Sequence, residues 1–103
     1  MILVNTTFVV SECADTAFLH WAKAEFMPAL ATQGFEGVYL CRVLADDDPS
    51  SRTYALQLRA PSRDAFGKWD TATGRILTDN LLRSVPRESV LSFTTTLGII
   101  ASM

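Results

Sequence analysis

The stretch FEGVYLCRVL (residues 35–44), ADDDPSS (45–51) and RTYALQLRA (52–60) decides the fold. Its outer runs are rich in aliphatic, aromatic and β-branched residues, and the second run alternates with period two. Both read as strands, and the Asp-Pro-Ser tract between them reads as their connection. On either side lies a helical stretch, one around Trp21 and one around Trp69. Beyond the helices lie two further strands, Ile2 to Val10 and Ser89 to Ile100. The order β-α-β-β-α-β predicts an α+β sandwich: one four-stranded antiparallel sheet with two helices on one face.

Hydrophobic spacing says which face of each helix is covered. Ala14, Phe18, Trp21, Ala22 and Ala29 fall in one stripe at about 100° per residue, leaving His20 and Lys23 on the far side. Pro28 removes an intrahelical hydrogen bond, so the first helix should bend or restart there before stopping near Gly34. The second helix has Ser62 as its expected N-cap and a stripe of Ala65, Phe66, Trp69, Ala72, Ile76 and Leu77.

In the first strand Ile2, Val4, Phe8 and Val10 alternate with Leu3, Asn5, Thr7 and Val9. In the third, Tyr54, Leu56 and Leu58 oppose Ala55, Gln57 and Arg59; in the fourth, Phe93, Leu97 and Ile99 oppose Ser92, Thr94 and Thr96. The greasier set of each strand is expected against the helices. The other face then mixes Leu3, Val9, Ala55, Val90 and Ile100 with Asn5, Thr7, Gln57, Arg59, Thr94 and Thr96. A half-apolar open face of this kind calls for a second sheet, so a homodimer packed through the sheets is expected, with a partly polar space between them.

Composition bounds the rest. At 103 residues the chain is read as one domain (1–103), and 49% apolar residues with a net charge of −2 describe a globular protein. Lys and Arg are scattered, which disfavours nucleic acid as a partner. The N-terminal run lacks a basic lead and carries Asn5, Thr6 and Thr7, so it reads as a strand and not a signal peptide. No apolar run is long enough to span a bilayer. No membrane partner and a cytoplasmic location are expected. Cys13 and Cys41 form neither a disulfide framework nor a metal spacing and are expected to be small buried hydrophobes. Asp46, Asp47 and Asp48 lack the spacing of a calcium loop and are expected to solvate a hairpin tip, leaving no metal site.

WAKAEFMP (residues 21–28) followed by TQGF (32–35) resembles a bacterial domain-of-unknown-function family, number 4286. Asn5-Thr6-Thr7, Gln57 and Phe93-Thr94-Thr95-Thr96-Leu97 resemble its other landmarks, so the likeness spans the whole chain. It implies a ferredoxin-like fold that pairs as a dimeric α+β barrel, and no established activity. Phe26 stands where that family often has His, and Thr94 where it often has Arg, which puts any site built on those two groups in doubt. Dimeric barrels of this kind include small oxygenases, some of which degrade haem with an Asn on the first strand and a Trp and a His on the second helix. Asn5 and Trp69 occupy comparable places, but no His follows. His20 lies outward, so no haem or other cofactor is expected.

Candidate site residues remain few. Glu25 sits near the centre of the first helix's apolar stripe, where it reads either as a base with a raised pKa or as a carboxylate swung to the rim by Pro28. In a ferredoxin-like sheet the first and third strands are central neighbours, which places Asn5, Thr7, Gln57 and Arg59 together. With Thr94 they read as lining for a small, partly apolar metabolite between the sheets, or as interface hydrogen bonds with no ligand. No nucleophile elbow, second histidine or phosphate loop is present. Three readings stay open: a small-molecule-binding dimer, a cofactor-independent oxygenase or isomerase, and a structural dimer.

Overall fold

Alternation of apolar side chains makes β1 (Ile2–Ser11) the strand on which the sheet is built. The computed structural model describes residues 1–44 and 49–103, and in it Val4, Phe8 and Val10 of this strand are buried. β1 pairs antiparallel with β3 (Ser51–Ala60) on one side and β4 (Val90–Gly98) on the other. β2 (Glu36–Arg42) pairs antiparallel with β3, giving the order β2-β3-β1-β4. This is the ferredoxin-like α+β sandwich, with both helical stretches on one face.

Each helical stretch is split by a π-turn, which the sequence spacing did not reveal. α1 (Asp15–Trp21) follows a short 3-10 turn and leads through the π-turn Ala22–Phe26 into α2 (Met27–Thr32). α3 (Arg63–Trp69) leads through the π-turn Asp70–Gly74 into α4 (Arg75–Ser84). The first has a visible cause. Pro28 has no N–H, and in a regular helix its ring would press on the Ala24 carbonyl; a wider turn just before it relieves that conflict. The second depends on Gly74. A Cβ there would lie 2.6 Å from Asp70 Oδ1 and 2.7 Å from Trp69 Cζ3. Ser62 caps α3 as expected, its Oγ accepting from the Ala65 N–H at 3.1 Å.

Between sheet and helices runs a chain of aromatic rings. Phe8 meets Phe18 at 4.9 Å between centroids, Trp21 meets Phe26 at 4.5 Å, and Phe26 meets Trp69 at 5.4 Å. Phe35 and Phe66 close its far end at 5.9 Å. Tilted and edge-on pairs of this kind add to the hydrophobic term. The Trp21 indole N–H donates to the Leu77 carbonyl at 2.8 Å, tying the two helical stretches together.

Three expectations are corrected here. Within β4, Thr94 pairs with Thr6 and Phe93 with Thr7, so Ser92, Thr94 and Thr96 lie on the helix side and Leu91, Phe93 and Leu97 on the open side. Alternation separates two faces but does not say which is covered, and Val90, expected on the open face, is buried. On the second helical stretch Ala72 and Ile76 are exposed, because the π-turn advances the stripe so that Gly74 and Leu81 face inward. Cys13 and Cys41 are both exposed, not buried. Asp46, Asp47 and Asp48 lie outside the described residues. Among the described residues no helix is long and apolar enough to cross a membrane.

Candidate functional site

The open sheet face gathers part of the expected polar set. Asn5 and Gln57 are register partners, and Gln57 Nε2 donates to Asn5 Oδ1 at 3.1 Å. Asn5 Nδ2 in turn donates to Thr7 Oγ1 at 3.3 Å. Tyr39 and Thr95 continue the same row to both edges of the sheet. Arg59 shares this face but reaches sideways to Glu36, 3.6 Å away, passing over Gly37, whose φ of 58° at a bulge is a conformation that favours glycine. Thr94 is not in this group; it lies across the sheet, its hydroxyl 2.9 Å from that of Thr6. Around the polar row the face is greasy: Phe93 is 60% exposed, Leu91 59% and Leu97 47%.

The helix side holds a cavity of about 310 Å³. Phe8, Phe26 and Phe66 supply its apolar surface. Thr6, Ser92 and Thr94 line it from the sheet; Asp70, Thr71, Arg75, Thr78 and Asp79 line it from the second helical stretch. The two π-turns border this space, since Phe26 ends one and Asp70 begins the other.

The second π-turn explains how the charged groups meet. The Arg75 N–H donates to the Asp70 carbonyl, a bond spanning five residues instead of four. In a regular α-helix residues five apart diverge by about 140°; the wider turn stacks them, so Asp70 and Arg75 both line the cavity. Asp79 lies one further turn along α4. Among the described residues none of these three is joined by an ion pair or a side-chain hydrogen bond. Asp70 keeps solvent access as a residue, yet the enclosure of its carboxyl group raises its pKa above the ordinary value. Gly74 lets that carboxyl fold back against the helix. At another edge of the core, burial and a hydrogen bond to Asp15 at 2.5 Å push the Tyr54 hydroxyl up to about 12.

Glu25 is exposed and does not line this cavity. The π-turn around it directs Trp21, Ala22 and Phe26 inward and leaves Glu25 outside, which corrects the reading that placed it in the apolar stripe. His20 is exposed. Asn5 and Trp69 lie on opposite sides of the sheet, Trp69 buried under the helices, so they do not share a pocket. Among the described residues no three His, Cys, Asp or Glu side chains gather as a metal site. Asp70, Arg75 and Asp79 escaped the sequence reading because regular helical spacing scatters Asp70 and Arg75; Gly74 beside Thr73 was the available signal.

Solved structures of the same fold are numerous. A protein from Nitrosomonas europaea assigned to the antibiotic biosynthesis monooxygenases superposes with a TM-score of 0.71 at 12% identity, covering 98% of this chain and 100% of that one. A mutant of SnoaB, a cofactor-independent oxygenase from Streptomyces nogalater, gives 0.65 at 16% identity over 99% and 96%. A dimeric ferredoxin-like protein from an uncultured marine organism gives 0.62 at 9% identity over 98% and 97%. No curated protein matches the chain. At these identities the likeness establishes the fold alone. Sequence carries the family: residues 1–100 match the model of a domain of unknown function, DUF4286, and the chain belongs to that family.

Proposed function

We propose that the protein is a homodimer whose helix-side cavity takes a small, partly aromatic molecule and handles it in the manner of a cofactor-independent oxygenase. The observation that carries this reading is a set of charged groups, Asp70, Arg75 and Asp79, that have no ion-pair or side-chain hydrogen-bond partner among the described residues and stand beside aromatic rings in one cavity. Polar groups without protein partners in a concave, partly apolar site are what a ligand satisfies. The fold shared with SnoaB supports the choice of chemistry.

Asp70 is the candidate base. Its raised pKa brings it closer to neutrality, where a carboxylate both takes and returns a proton. It would remove a proton from an acidic N–H, O–H or C–H of the substrate. The resulting anion gives one electron to dioxygen; the two radicals join into a carbon–oxygen bond, and the peroxide anion takes the proton back from Asp70. The net change is substrate plus dioxygen to hydroperoxide, with both electrons drawn from the substrate.

The dimer would form through the open sheet face, where Leu91, Phe93 and Leu97 surround a polar row that satisfies itself. That the marine ferredoxin-like protein is dimeric supports the pairing of two copies. The internal bonding of Asn5, Thr7 and Gln57 favours an interface role for that row over a metabolite between the sheets.

Oxygen uptake with a panel of electron-rich phenols and indoles tests the oxygenase reading. Uptake with at least one compound, reduced about a hundredfold or more by Asp70→Asn, is expected. Binding without uptake overturns the oxygenase chemistry and keeps the ligand site.

A further inference from the structure

We propose that the cavity recognises an aromatic amino acid: the ring against the phenylalanines, the carboxylate on Arg75 and the ammonium on Asp79. The inference rests on the reading of the cavity as the substrate site and narrows it to a ligand class.

Charge count comes first. One guanidinium and two carboxylates line the space, and among the described residues none is neutralised by the protein. A simple acid would satisfy Arg75 but meet two carboxylates, and a phosphate dianion would meet them with twice the charge. A simple amine would leave the guanidinium unused. A zwitterion with a carboxylate and an ammonium on one carbon answers both signs.

Geometry selects the pair. Arg75 and Asp79 stand four residues apart on α4, the spacing that puts side chains on one helix face, yet no ion pair joins them. The two ends of an amino-acid head group can therefore enter between them, the carboxylate taking the forked guanidinium donors. Thr6 and Thr94 bond to each other and offer less to a head group. Phe8, Phe26 and Phe66 favour a ring over an aliphatic chain. Asp70, the more enclosed carboxyl, is left to accept from a ring N–H or O–H. The cavity volume of about 310 Å³ suits one or two fused rings.

Calorimetry on the full chain with L-tryptophan, tryptamine, indolepropionate and indole tests this. L-Tryptophan is expected to bind at least about tenfold more tightly than any of the other three. Arg75→Gln should bring it down to the level of tryptamine, and Asp79→Asn to the level of indolepropionate; both positions are exposed, so neither change threatens folding. Equal binding of indole and L-tryptophan, or an unchanged preference in Arg75→Gln, overturns the amino-acid assignment while the cavity stands as a ligand site. Silence from all four compounds overturns the assignment, and silence extended to the phenol panel removes the cavity reading too.

Discussion

The two faces of the sheet treat polar side chains in opposite ways. On the open face Gln57, Asn5 and Thr7 hydrogen-bond in series and Arg59 pairs with Glu36, so the polar groups answer one another amid exposed Leu91, Phe93 and Leu97. On the helix face, within one cavity, Asp70, Arg75 and Asp79 have no such partners among the described residues. A surface whose polar groups are already satisfied can be covered without leaving any of them stranded, which suits a second copy of the chain. A concavity whose charges are unanswered is suited to a ligand that supplies the missing halves.

The largest expected effect breaks the covered side outright. Phe18 is fully buried against Phe8, Trp21 and Tyr54, so Phe18→Ala should cost about 3–5 kcal/mol in urea unfolding. On the open side Phe93→Asp should leave the monomer folded, by circular dichroism, and weaken the proposed dimer by about 2 kcal/mol or more in sedimentation equilibrium. A variant that stays dimeric at micromolar concentration would remove the contrast between the faces.

Gly74→Ala sharpens the contrast through its sign. In an ordinary helix this exchange stabilises by up to about 1 kcal/mol; here the new Cβ meets Asp70 and Trp69, and a loss of about 1–3 kcal/mol is expected in the same unfolding assay. The gentlest probe is base. Tyr54 has its folded pKa raised from 10.0 to about 12, so its contribution is whole below pH 10 and is lost as pH rises from 10 towards 12. Wild-type stability should fall across that window more steeply than that of Tyr54→Phe.

Much of this arrangement was legible in the residues. The β-α-β-β-α-β order and the Ser62 cap follow from period and punctuation, and the central position of β1 and β3, with the grouping of Asn5, Thr7 and Gln57, follows from the ferredoxin-like fold that the family resemblance implies. The orientation of β4 did not, for a physical reason. The rule that the greasier side faces the helices assumes one covered face, and Phe93 and Leu97 lie on the other face. Glu25, Ile76 and the shared placement of Asp70 and Arg75 on the cavity were misplaced or missed for a second reason. A π-turn changes the helical period in mid-helix, and Pro28 and Gly74 signal a break without saying how far the period widens.

The π-turn Asp70–Gly74 amounts to one residue inserted into an otherwise regular helix. Deleting a single codon within it would let α3 and α4 fuse into a regular helix in which Asp70, Arg75 and Asp79 follow one another at four-residue spacing, on one face. What would scatter the charges is the loss of the wide turn with all its residues kept, because Asp70 and Arg75, five apart, then diverge by about 140°. The proposed site therefore depends on the shape of this turn and not on its length, in a scaffold whose strands stand apart from it.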